Sequence, residues 1–258
     1  MENELFSRII YLSAECLVVN KKIGEAVEGA RNNIADLPQL LAAALPPAEN
    51  APDILPLPVA AHRLDVPVSG CVAFARTQSA LGFLSAAFAK EYAPVDVSAM
   101  QSATLYGVEK KYWAIVETPQ NNMPQGGPLP ESGELIHWIQ VDSKKNKSYA
   151  YTEPGPGRKK AMLRYRLAGT GRNYLFLEIQ LLTGRHHQIR AQLEQIGLHV
   201  KGDLKYGARR SEKNGGIRLH ARSLSFPDPA DNSMRITICA DPPLQDNLWL
   251  AFEDSITT

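Results

Sequence analysis

The sequence predicts an α+β fold: a mixed, mostly antiparallel sheet flanked by helices. Three observations carry this. Segments with apolar–polar alternation follow one another directly in the chain, which is the mark of hairpins and not of strand–helix–strand crossovers. Strand-like segments outnumber helical ones. No G-x-G-x-x-G or phosphate-loop pattern follows a strand, so nothing speaks for a doubly wound nucleotide-binding sheet or a nucleotide cofactor.

Taken in order, "RIIYLSAECLVVNKK" reads as two short strands around a polar turn. "ADLPQLLAAAL" has helical spacing, and the proline-rich "PPAENAPDILPLP" then reads as a surface loop. "GCVAFART" is a strand. "QSALGFLSAAFAKEY" sets Leu81, Leu84, Phe88 and Tyr92 on one helical stripe that faces the core. "KKYWAIVET" returns to strand, and "NNMPQGGPLPESGE" is a loop. "ELIHWIQVD" and "KSYAYTE" pair as a hairpin around "SKKNK", and "AMLRYRLAGTGRNYLFLEIQLL" holds two alternating strands joined by a glycine-rich turn. "HHQIRAQLEQIG" is helical, with Gly184 at the sharp change of direction, Thr183 as its cap and Gly197 as its stop. On that helix Arg190 shares a face with His186, and His187 and Gln188 point elsewhere. "IRLHARSLSF" and "MRITICA" are late strands.

Of the 258 residues, three are cysteines (Cys16, Cys71 and Cys239), widely spaced and without a C-x-x-C pair. This fits a reducing, cytoplasmic setting. The acids of "MENELFSRIIYLSAEC" do not fit a signal peptide, and no apolar run is long enough to span a bilayer, so no membrane partner is expected. Six histidines invite a metal reading, but H-E-x-x-H is absent, and "HH" at adjacent positions is expected to send its rings in different directions; no metal is expected. Ser69 lacks a G-x-S-x-G setting, which removes the hydrolase elbow. Net charge is only +1, yet it is unevenly spread: residues 158–222 carry 15 basic and 4 acidic side chains, whereas residues 1–60 carry 4 and 8. Eight of those fifteen are arginines before residue 211, which favours a polyanionic partner.

Three polar clusters interrupt apolar surroundings: "HRLD" in "AAHRLDVPVSGCVAFAR", "KKYWA", and "TGRHHQIR". Buried charge is costly unless paired, so Arg63 and Asp65 are either a solvated turn or functional groups. Taken singly, Asp65 reads as a turn carboxylate, Tyr112 as a half-buried strand tyrosine, Arg190 as a helix-surface charge and Leu219 as core.

"HRLDVPVSG", "KKYWAIVE", "TGRHHQIRAQLEQIGLHVKGDLKYG" and "RLHARSLSF" occur in this order, and together they resemble the RluA-type family of RNA pseudouridine synthases over residues 9 to 245. The resemblance implies a single catalytic domain (1–258), with no N-terminal S4 domain, and a sheet split by a central basic cleft. It implies an isomerase that converts uridine to pseudouridine in tRNA or rRNA, without cofactor or metal, expected as a monomer. By motif position, Asp65 is the nucleophile, Tyr112 contacts the uracil ring and Arg190 pairs with the catalytic carboxylate. Arg63, Lys110, Leu219, Arg185 and His187 fall among the substrate-binding positions. Val66 and Val68 replace a basic residue and a threonine of the usual motif, Lys22 replaces a proline in "NKKIG", and segment 92–107 is longer than usual. An RNA-binding protein that has lost catalysis is the alternative, against which the intact Asp65, Tyr112 and Arg190 speak; a nucleotide hydrolase or transferase with a similar basic cleft is the third class. Formation of pseudouridine in RNA separates them.

Overall fold

A computed structural model describes residues 2–29, 35–45, 53–90, 107–119, 127–243 and 246–257. In chain order the elements are α1 (Glu2–Phe6), β1 (Ile9–Leu12), β2 (Cys16–Lys21), α2 (Leu37–Ala44), β3 (Ile54–Ala60), β4 (Ser69–Thr77), α3 (Gln78–Ala89), β5 (Glu109–Glu117), β6 (Ser132–Asp142), β7 (Lys147–Tyr151), β8 (Lys159–Thr170), β9 (Tyr174–Leu181), α4 (Gln188–Gln195), β10 (His199–Val200), a 3-10 turn (Leu204–Tyr206), β11 (Leu219–Pro227), β12 (Arg235–Cys239) and α5 (Asn247–Thr257). This is the mixed, mostly antiparallel α+β arrangement that the strand spacing implies. The chain divides into two compact units, one of Met1–Lys110 with Ala221–Pro243, the other of Lys111–His220 with Leu244–Thr258.

In the first unit β2 and β4 pair antiparallel, with Cys16 opposite Ala75 and Lys21 opposite Gly70. Both strands are near-continuous apolar runs buried on both faces. Cys71, Ala73 and Ala75 pack with Ala80, Leu84 and Ala87 of α3 and with Leu224 and Phe226 of β11. Thr77 caps α3 by accepting from Ala80 N. The proline-rich stretch is not all loop: its end forms β3. Pro56 and Pro58 have no N–H to donate, and they fall where the β3–β4 register breaks, between Ile54 and Val59.

In the second unit β6 pairs with β7 as a hairpin and with β8, and β8 pairs with β9. Ile139, Ala150, Ala161, Ala191 and Tyr206 form one core cluster; Trp113, Ile115, Phe176, Trp249 and Phe252 form another beneath α5. The "TGRHHQIR" segment departs from its predicted form. Helix α4 starts only at Gln188, and His187, in the left-handed region at φ 52°, is its N-cap residue with no side-chain cap bond. His186 therefore lies outside the helix and shares no helical face with Arg190. The two histidine rings stack, centroids 3.8 Å apart, because the positive φ folds the backbone between them. Thr183 is no cap either: its hydroxyl donates to Gln188 Oε1 at 2.8 Å and accepts from Met162 N at 2.9 Å. Tyr92 and the long 92–106 segment lie outside the described residues.

Candidate active site

In the first unit Asp65 lies on the loop between β3 and β4, half-buried, with Arg63 exposed and Leu64 buried on either side of the backbone. Val68 N donates to Asp65 O at 3.0 Å, closing a turn directly after the carboxylate. That turn hangs from Lys21, a wholly buried lysine at the end of β2. Its Nζ donates to Val66 O at 3.1 Å, Val68 O at 2.6 Å and Lys22 O at 2.9 Å. Burial pulls the Lys21 pKa down to about 8, while the carboxylates of Glu25 and Asp65 pull the other way. Gly24 N adds a bond to Val66 O at 2.9 Å.

His62 is part of the scaffold. Its Nε2 accepts from Ala73 N at 3.2 Å and its ring stacks on Phe88 at 4.6 Å. Burial, then the charge of Lys110, push its pKa down to about 3, so the ring is neutral. Lys110, the second residue of β5, has Nζ 5.0 Å above the Phe88 ring, and burial lowers its pKa to about 8. Gly70 of the Ser-Gly pair has φ +114°, and a Cβ there would sit 2.3 Å from Ala221 O, so β4 and β11 meet backbone to backbone at this point. Of the two departures from the usual motif, Val68 is core, and Val66 is 49% exposed beside Asp65.

In the second unit Tyr112 and Leu219 are buried on β5 and β11. Arg190, on the first turn of α4, grips Asp203: Nε is 2.6 Å from Oδ2 and Nη2 is 2.8 Å from Oδ1. Both side chains are nearly inaccessible, at 6% and 1% exposure. The guanidinium also lies 4.7 Å over the ring of Tyr206. Tyr206 Oη accepts from Ser148 N at 2.8 Å and bonds Nδ1 of His187 at 2.8 Å. Gly207, in the left-handed region, lets the chain turn beside the His199 ring. Arg185 donates from Nε to Lys160 O at 2.9 Å, and its N–H reaches Gln188 Oε1 at 3.0 Å.

The structure thus groups Asp65 with Lys21, and Arg190 with Asp203, Tyr206 and His187. Lys21 and Asp203 are supports that the sequence reading did not single out. Asp203 was legible as an acid between two glycines, in "KGDLKYG", within a strongly basic segment. Lys21 had no such signal, since a strand-end lysine ordinarily reads as solvated. Asp65 and Arg190 belong to different units.

The fold is that of the pseudouridine synthases. Two human solved structures, RNA Pseudouridylate Synthase Domain Containing 4 and 1, match 99% and 97% of this chain and 95% of each of theirs, with TM-scores of 0.69 and 0.63 at 18% and 21% identity. Residues 15–195 match the model of the family described as RNA pseudouridylate synthase, and the chain belongs to that family. Among curated relatives, RNA pseudouridine synthase 4, mitochondrial, of Arabidopsis thaliana is 29% identical over 78% of this chain and 41% of its own length. An uncharacterized RNA pseudouridine synthase of Zymomonas mobilis is 27% identical over 86% of this chain and 88% of its own. The tRNA pseudouridine synthase C of Haemophilus ducreyi is 28% identical over 93% and 92%. The chain spans only about half the length of several others, such as 45% of the Chloroflexus aurantiacus relative and 52% of that from Mycobacterium bovis.

Proposed function

We propose that this protein isomerises particular uridines to pseudouridine in tRNA or rRNA, with Asp65 as nucleophile. The observation that carries the reading is the Asp65 turn, where the carboxylate directly precedes a backbone that a buried lysine holds by two carbonyls. A carboxylate can add to the substrate and later leave, as this reaction requires. The glycosidic C–N bond breaks, uracil turns while bound, a C–C bond forms from C5 to the ribose, the C5 proton is lost to solvent or a base, and N1 takes up one proton. Atoms balance without a redox partner, metal or nucleotide. Arg190, already oriented by Asp203, is suited to pair with Asp65 and offset its desolvation. The flat ring of Tyr112 and the apolar Leu219 suit a uracil that must stay bound yet rotate. A stacked base must leave its helix to react. Arg63 is suited to fill the gap, with Lys110, Arg185 and His187 as further contacts. Cys16, Cys71 and Cys239 are free thiols, which suits a reducing compartment, and we take the protein to act in the cytoplasm as a monomer with one catalytic domain.

The test uses total tRNA and rRNA from cells lacking the gene, incubated with the protein, digested to nucleosides and analysed for pseudouridine. Wild type is expected to form it, while folded Asp65→Ala and Asp65→Asn bind RNA and form none. Turnover by either variant would remove Asp65 from the reaction. No product from wild type on any of these RNAs would sink the activity.

A further inference from the structure

One face of the second unit's sheet is built like a stacking platform. The register sets Tyr151, Trp138 and Lys160 side by side across β7, β6 and β8, with Tyr149 beside Gln140 and Ile136 beside Met162. Directly opposed residues share a face. The alternate set, Ile139, Ala150 and Ala161, is buried with Ala191 of α4 and Tyr206. The platform side chains are half-buried or exposed, Ile136 at 41%. A solvent-facing sheet side is ordinarily polar; this one presents three aromatic rings.

Its charge is as uneven as its hydrophobicity. Residues 142–166 carry eight basic and two acidic side chains, net +6, in a chain of net +1. Neighbouring acids neutralise part of this: Glu134 pairs with Arg164, Glu178 with Arg166 and Glu194 with Lys147. Lys144, Lys159 and Lys160 are exposed and have no carboxylate partner among the described residues. Beside β7, which ends the strand order, lies a hollow of about 340 Å³ lined by Tyr149, Ala150, Tyr151, Glu153 and Arg158 and by Glu194 and Gln195 of α4. The Arg158 guanidinium carbon already lies over Tyr151, 3.5 Å from the ring centroid, so the face of this ring is open to a cationic group.

We infer that this face of β6, β7 and β8 binds a single-stranded segment of RNA, stacking bases on Trp138, Tyr149 and Tyr151 and holding phosphates with Arg158, Lys144 and Lys160. Aromatic rings among cations on an open sheet are the arrangement that suits single-stranded nucleic acid, because every base has a π-face and every linkage a charge. Excess positive charge favours RNA over a protein partner of balanced charge. The inference rests on the RNA-modifying reading above and adds a second point of contact, remote in sequence from Asp65.

The probe is a fluorescein-labelled 15-nucleotide polyuridylate, and the readout is fluorescence anisotropy with the full chain. Tyr149→Ala is expected to weaken binding roughly tenfold, about one lost base stack, whereas Tyr149→Phe keeps the ring and the affinity. Lys144→Glu with Lys160→Glu should lower the slope of log Kd against log salt by about one to two, roughly 0.7 per lost single-strand contact. At subsaturating RNA, pseudouridine formation should fall with binding. Unchanged affinity in both Tyr149→Ala and the lysine pair, or no binding of the oligonucleotide by wild type at low salt, overturns the inference and leaves the face to a protein partner. The binding arm needs no turnover, so failure of the proposed reaction is read separately.

Discussion

The turn after Asp65 and the side chain of Arg190 are supported by different chemistry. Around Asp65 the support is an ammonium bonded to neutral backbone: Lys21 reaches three carbonyls that lie in different directions. Around Arg190 it is an ion pair, two parallel bonds to Asp203 inside a region that also holds the linked Lys201–Glu212–Arg218–Asp246 set. A compact ammonium with three rotatable donors suits the first geometry, and a planar fork suits the second. The surrounding sheets differ in the same sense. Strands β2 and β4 are buried on both faces and leave little room for charge, whereas β6 and β8 alternate and keep an accessible side. Position in the fold thus decides which cation can serve as a support.

The sharpest way to break the comparison is to remove one arm of the buried pair. Arg190→Met leaves Asp203 buried and unpartnered and is expected to cost about 3–5 kcal/mol in urea unfolding. Arg190→Lys should recover only part of this, since an ammonium cannot match both carboxylate oxygens. A loss below about 1 kcal/mol for Arg190→Met would mean that the pair holds nothing. Next comes Gly70→Ala, which adds a Cβ that meets the Ala221 backbone at 2.3 Å and strains a φ of +114°. Crowding and backbone strain together are expected to cost about 2–4 kcal/mol, and an unchanged melting temperature would show that β4 and β11 have slack there.

The pH dependence follows from the first unit's two depressed lysines. Lys21 and Lys110 both have pKa values of about 8, against an ordinary 10.5. Between pH 8 and 10.5 the unfolded chain binds more protons, so their contribution to stability rises with pH in that window and is flat below it. In Lys110→Met one share of that rise should vanish in unfolding free energies measured from pH 7 to 10.5; the same slope as wild type would refute the assignment. RNA affinity offers a separate check. It should fall as wild type passes pH 8 and Lys110 loses its charge, while Lys110→Met shows no such fall. The smallest effect sharpens the comparison from the other side. The exposed Arg166–Glu178 pair is of the kind worth about 1 kcal/mol or less, so Arg166→Gln should barely move the unfolding midpoint. A loss as large as that of Arg190→Met would show that burial is not what separates the two pairs.

The order of "HRLD", "KKYWA", "TGRHHQIR" and "RLHA", the hairpins and the α+β class were legible in the sequence, because alternation and turn residues act locally. So were α3 and the stop of α4 at Gly197, where Leu198 N returns to Leu193 O. The C-terminal helix α5 was legible but unread: Leu248, Trp249, Phe252 and Ile256 have helical spacing, and they pack against Phe176 and Trp113. What only the tertiary structure decided are the matters set by distant partners. Strand β3 exists because β4 offers it a ladder despite two prolines. His186 and His187 stack because the chain takes a positive φ ahead of α4, where Tyr206 bonds His187. Lys21 is buried because carbonyls 45 and 47 residues further along the chain surround its ammonium, and Arg190 is held by Asp203 because the turn after β10 returns beneath α4. Local propensity has no access to such pairings, since the free energy that selects them appears only when the distant segments meet.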